Sequence, residues 1–128
     1  MSRTAERTMS PRFLRYWLPV VLYVCLIFFL SAQPNLQPPL HFNGADKVAH
    51  LIEYGILGAL LARAVSASWN ASRTAVALLA VCIGIVVGTC DELFQSTVPG
   101  RQSSGFDLMA DAAGVTIAQI VIRALARA

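Results

Sequence analysis

Charge is what this sequence has least of. Only 13% of its 128 residues are Asp, Glu, Lys or Arg, against about 25% in an ordinary soluble domain. With 56% hydrophobic residues gathered into long runs, that scarcity excludes a solvated globular surface and indicates a polytopic membrane protein. Cysteine is scarce as well. Cys25, Cys82 and Cys90 form an odd set with no C-x-x-C pair, so neither a disulfide framework nor a zinc site is expected. All three lie in apolar stretches and read as small core residues. The net charge of +3 does not form a basic-aromatic patch, which excludes nucleic-acid binding. No Ser-His-Asp order, phosphate loop or H-E-x-x-H motif occurs, so no reaction class is imposed and enzymatic activity stays open.

Four apolar runs organise the chain. A basic tail, residues 1–15, carries Arg3, Arg7, Arg12 and Arg15 against Glu6. The rest, 16–128, reads as one all-α membrane domain with helices near 16–32, 46–65, 74–95 and 106–125. The first run spans roughly 26 Å at 1.5 Å per residue, near the lower limit for crossing a bilayer. Pro19 is expected in its first turn, where a missing amide hydrogen is tolerated. A cleaved signal peptide fits the run but not its end, because Leu30-Ser31-Ala32 puts a large side chain at the first position of the cleavage triplet. An uncleaved helix is the reading.

Pro34, Pro38, Pro39 and Gly44 then make a loop, with His41 a solvated loop residue. Asp46 is expected to cap the second helix. There His50, Glu53, Tyr54 and Leu57 share one face, and Gly55, Gly58, Ala59 and Ala62 offer close-packing surfaces. Trp69 anchors the next connection at the interface. Gly84, Gly88, Glu92 and Gln95 lie on one stripe of the third helix. Asp107, Asp111, Gly114 and Ala118 lie on one face of the fourth.

Topology gives these positions a common depth. Four spans put both termini on one side, with eight of the ten cations; only Lys47 and Arg101 fall on the other. The positive-inside bias places the termini in the cytoplasm. Six of the seven acids (all but Glu6) then meet at the extracytoplasmic end. Asp46, Lys47 and Asp107 also suit a solvated rim, and Asp91 a cap or a water-facing position. His50, Glu53 and Asp111 lie a turn or more inside their spans, which favours a polar cavity. The first helix, nearly devoid of polar groups, reads as a wall.

Together "DKVAHLIEYGILGALL", "DELFQSTVPGR" and "DLMADAAG" resemble the VanZ-like family of small bacterial membrane proteins, over roughly residues 46–118. The family's pattern falls on Asp46, Lys47, His50, Tyr54, Glu92, Gln95, Arg101, Asp107, Asp111 and Gly114. Two positions depart from it: Asp111 stands where the founding member has an amide, and Ala118 where a second glycine often follows. The resemblance implies a multi-pass, envelope-facing protein of the bacterial cytoplasmic (inner) membrane. The name-giving member is associated with low-level teicoplanin resistance.

The residues themselves suggest a site acting on a lipid-linked or envelope ligand. His50, Glu53, Glu92, Asp107 and Asp111 are its candidate catalytic groups. Lys47, Tyr54, Gln95 and Arg101 are its candidate ligand-binding groups. His50 has the chemistry to shuttle a proton with Glu53 or Glu92, and Arg101 to grip a phosphate or carboxylate. So many carboxylates need protons or a divalent cation to coexist, and Asp107-x-x-x-Asp111 has the spacing to hold Mg²⁺ with a phosphate. A structural or partner-binding protein, whose polar cluster only holds the bundle, is the competing expectation. Transport is disfavoured, because the acids gather on one side only. The partners expected are the bilayer and that envelope ligand, with no nucleic acid.

Overall fold

The computed structural model describes residues 10–128 and consists of four helices: α1 (Pro11–Ser31), α2 (Ala45–Ser68), α3 (Arg73–Gln95) and α4 (Gly105–Leu125). Among the described residues there is no strand. Arg3 and Arg7 of the basic tail lie outside the described residues. The 21 to 24 residues of each helix extend roughly 31 to 36 Å at 1.5 Å per residue, enough for a hydrocarbon core of about 30 Å. All four are apolar enough to cross a membrane, which makes this a multi-pass membrane protein.

The helix ends differ from the sequence reading in informative ways. Pro11 opens α1 at its first turn, so the helix begins before the apolar run and takes in Arg12 and Arg15. Pro19 therefore lies in the interior of α1, where it deprives the Arg15 carbonyl of its usual partner. Asp46 does not cap α2. Gly44 holds that position with φ of 87° and no side-chain bond, and Asp46 sits in the first turn, where a carboxylate favours the helix dipole. Ser72 and Ser104 cap α3 and α4 by accepting from the amides of Ala75 and Asp107.

Successive helices run antiparallel. At the end that holds the termini, the Trp17 indole donates to Ser68 Oγ at 2.6 Å, and Trp69 meets Trp17 edge-on at 6.1 Å between ring centroids. Arg63 lies over the Tyr16 ring there, at 4.9 Å. Helix α2 touches all three others, whereas α1 rests on α2 and α3 alone.

The tightest seam joins α2 to α4, and small residues make it possible. A methyl group on Gly114 would collide with the backbone carbonyl oxygen of Leu51 and stand 3.0 Å from the Gly55 nitrogen. Gly58 faces Val115 and Ala118 across the same seam. On α3, Gly84 receives the Val115 side chain and Gly88 abuts Asp111, so the small-x-x-x-small stripe packs α3 on α4. Ala62 is buried, as its spacing suggested, but Ala59 is exposed.

Tyr54, Leu57, Leu61, Ala80 and Val115 form the dry centre with Val20 and Ile27 of α1. Apolar side chains such as Leu22, Phe29, Leu78, Val86, Leu93 and Ile120 point outward, where the bilayer would cover them. All three cysteines are exposed. They belong to the outward faces and not to the core, because a helix in lipid is apolar on every side and hydrophobicity alone does not mark the inward one.

Candidate functional site

The opposite end of the bundle is polar, and each helix contributes to it. The start of α2 supplies Lys47, His50, Glu53 and Tyr54; the end of α3 supplies Asp91, Glu92 and Gln95; the start of α4 supplies Asp107 and Asp111. The α3–α4 loop adds Arg101. Val98 accepts from the Arg101 amide at 3.2 Å, with Pro99 and Gly100 between them. Gly100 has φ of 81°, as the third position of a type II turn requires. A side chain on Gly100 would press on Pro34 and Asn35, so this turn is seated against the α1–α2 loop. Every residue singled out from the sequence as catalytic or ligand-binding is thus brought to this end.

Several polar contacts organise the interior. The His50 Nδ1 atom lies 2.7 Å from Asp111 Oδ1 and joins α2 to α4. Lys47 bridges Asp46, at 2.6 Å, and Asp107. Tyr54 donates to Asp91 Oδ2 at 3.2 Å, and the Gln95 amide donates both to the same oxygen and to Ser31 Oγ at 3.1 Å. That last chain of bonds ties α1, α2 and α3 together. Glu92 turns the other way, because consecutive helical residues point about 100° apart, and its Oε2 accepts from the Ser104 amide at 3.1 Å.

Several expectations change here. Asp91 neither caps the helix nor faces water: it is fully buried and lies at the centre of the Tyr54–Gln95 network. Asp107 is not a rim residue either. It is 4% exposed and paired with Lys47, which is the physical reason so deep a carboxylate is tolerated. Of the three rim candidates, Asp46 alone has a side chain more than half exposed. Helix α1 is more than a wall, since Ser31 accepts from Gln95 and the Tyr23 hydroxyl donates to the Glu53 carbonyl at 2.8 Å. Only the polar hydroxyls in an otherwise apolar run hinted at Tyr23 and Ser31. The adjacency of Asp91 to Glu92 was the one signal for Asp91.

A cavity of about 480 Å³ opens between α1, α2 and the α1–α2 loop. Leu26, Leu30, Leu36, Ile52 and Ile56 line its apolar side, and Asp46, His50, Glu53, Gln95 and Arg101 its polar side. Buried behind His50 and Gln95 are the carboxylates those two residues contact, Asp111 and Asp91. Among the described residues, one oxygen of each of Asp91, Glu92 and Asp111 comes within 4.8 Å of the others, and His50, Glu92 and Asp107 form a second such group. Asp107 and Asp111, the pair suggested by spacing, do not share a group: Lys47 holds the first and His50 the second. A pocket lined by apolar walls with a few convergent polar groups has the general form of a small-molecule site.

No curated protein and no solved structure matches the chain. A family profile described as VanZ/LLP1 matches residues 13–126, from the first turn of α1 to the end of α4. That span takes in every polar group of the site, and the chain belongs to the VanZ-like family.

Proposed function

We propose that the polar end of the bundle faces away from the cytoplasm and binds the phosphate or carboxylate head of a lipid-linked envelope ligand. The orientation is supported by charge. Arg12, Arg63, Arg73 and Arg123 line a cavity at the termini end, whereas the site end has Lys47 and Arg101. An excess of cations marks the cytoplasmic side. The membrane is then the cytoplasmic membrane of a bacterium.

The observation that carries the ligand reading is Arg101. Its Nε is buried without a hydrogen-bond partner, and its side chain lines the cavity. A guanidinium so placed satisfies its donors by gripping a phosphate or carboxylate. The apolar side of the same cavity suits the chain attached to such a head. His50 and Glu53, on the polar side, supply an acid–base pair should the head react. A role in teicoplanin-type resistance follows if the ligand belongs to the cell wall's lipid-linked precursors.

The test is rescue of a deletion strain. Its sensitivity to glycopeptides and other envelope stresses is compared with and without wild type, Arg101→Ala and Glu92→Ala, and membrane abundance is measured in parallel. Loss of rescue at normal abundance supports the ligand site. Full rescue by both variants sinks it. Loss of rescue that tracks loss of abundance favours the second reading, a cluster that only clamps the helices. The Tyr54–Asp91–Gln95–Ser31 chain of bonds is the observation in favour of that reading.

A further inference from the structure

Three carboxylates in this site share one construction. Asp91 commits Oδ2 to Tyr54 and Gln95, Asp111 commits Oδ1 to His50, and Glu92 commits Oε2 to the Ser104 amide. The other oxygen of each, Asp91 Oδ1, Asp111 Oδ2 and Glu92 Oε1, is buried with no partner among the described residues. Asp91 and Asp111 are 0% exposed. An orphaned buried carboxylate oxygen carries a substantial desolvation penalty, and three such groups side by side also repel one another. We infer that Asp91, Glu92 and Asp111 bind a single divalent cation, with Tyr54, Gln95, His50 and the Ser104 amide as the groups that aim them.

The chemistry narrows the ion. All three ligands are hard oxygens, which suit Mg²⁺, Mn²⁺ or Ca²⁺ rather than a thiolate-seeking metal. The second group, His50–Glu92–Asp107, is the poorer host, because the Lys47 ammonium already neutralises Asp107 and repels a cation. Each ligand's second oxygen is held by a donor from a different segment, the usual way a carboxylate is oriented toward a metal. The inference rests on the reading of this end as an anion site for what the ion does there: it adds a positive charge behind the wall whose cavity side carries Arg101. The two together would flank a phosphate head.

The experiment uses the full chain purified in detergent and Mn²⁺ as the probe, read by the loss of the free-ion electron paramagnetic resonance signal. The wild type should immobilise one Mn²⁺ per chain, displaced by Mg²⁺ or Ca²⁺. Asp91→Asn and Asp111→Asn should abolish that binding. Tyr54→Phe, which keeps the ring but frees Asp91 Oδ2, should weaken it roughly 10-fold or more, as loss of an orienting contact does. His41→Ala, in the α1–α2 loop, should leave it unchanged. Folding of each variant is checked by helical circular dichroism and gel filtration; if an Asn variant fails to fold, the Tyr54→Phe shift decides. A folded wild type that leaves the free Mn²⁺ signal intact overturns the inference, as does undiminished binding in the folded Asn variants or, where those fail to fold, in Tyr54→Phe. No Mn²⁺ binding together with a continued requirement for Arg101 in the rescue assay removes the cation and leaves the anion site standing. Mn²⁺ binding with full rescue by Arg101→Ala and Glu92→Ala keeps the cation and removes the ligand.

Discussion

Adding one methyl group at Gly114 should disturb both the bundle and its polar end. The new carbon would lie against the Leu51 carbonyl oxygen and the Gly55 nitrogen. Both are backbone atoms of α2, so no side-chain rotation relieves the clash. A carbon and an oxygen rest at about 3.3–3.6 Å, which requires α2 and α4 to part by on the order of an ångström. Overpacking of this kind costs roughly 1–3 kcal/mol. The same shift would carry His50 Nδ1, now 2.7 Å from Asp111, beyond hydrogen-bonding range. An interhelical hydrogen bond in a membrane is worth about 0.6 kcal/mol on average and rarely above roughly 1.7. The packing term therefore dominates, and Gly114→Ala should lose about 2–4 kcal/mol in total. Reversible unfolding by dodecyl sulfate in mixed micelles, followed by circular dichroism, measures this. Gly105→Ala is the reference, because a side chain there meets nothing within 4 Å and should change stability by no more than about 0.5 kcal/mol. Equal stability of Gly114→Ala and wild type would refute the close α2–α4 contact on which the site's geometry depends.

Other outcomes follow from the same contacts. Gly84→Ala should cost less than Gly114→Ala in the same unfolding assay, about 1–2 kcal/mol, because the atoms it meets at 2.6 Å and 2.9 Å are the Val115 side-chain methyls. Lys47→Met strands Asp107, which is 4% exposed. The cost of breaking a buried pair is about 3–5 kcal/mol, reduced to roughly 1–3 here because the Lys47 side chain is 37% exposed; Asp107→Asn in the same background should recover part of the loss. Single cysteines placed at Gln37 and Ser103 in a cysteine-free background should react with an impermeant maleimide on intact cells, and one at Asn70 should not. Reaction at only one of the first pair would separate the two loops that frame the site.

Much of this was legible because lipid imposes strict rules. Apolar runs of adequate length gave the four helices, and the alternation of sides then put His50, Glu92 and Asp111 at one depth without any contact being known. What stayed hidden was rotation about each helix axis. In water an apolar stripe identifies the buried face; in a bilayer the outward face is equally apolar, so Cys25, Cys82 and Cys90 looked like core. Asp91 was obscured for the same reason. It and Glu92 are neighbours on the chain, and only the position of Tyr54 on α2 shows that both turn inward by different routes. Helix ends were misjudged where polar residues continue a helix past its apolar run, as Arg12 and Arg15 do.

Beyond apolar contact, helix α1 is fastened to its neighbours by the Trp17–Ser68 bond and the Arg63–Tyr16 contact near one end, the Ser31–Gln95 bond at the other and the Tyr23–Glu53 bond between. The pocket beside it is walled by that helix. On the proposed ligand reading, a molecule dissolved in the bilayer would slide past this stave to bring its head to the Arg101 side of the cavity, and its tail would never have to leave the oil.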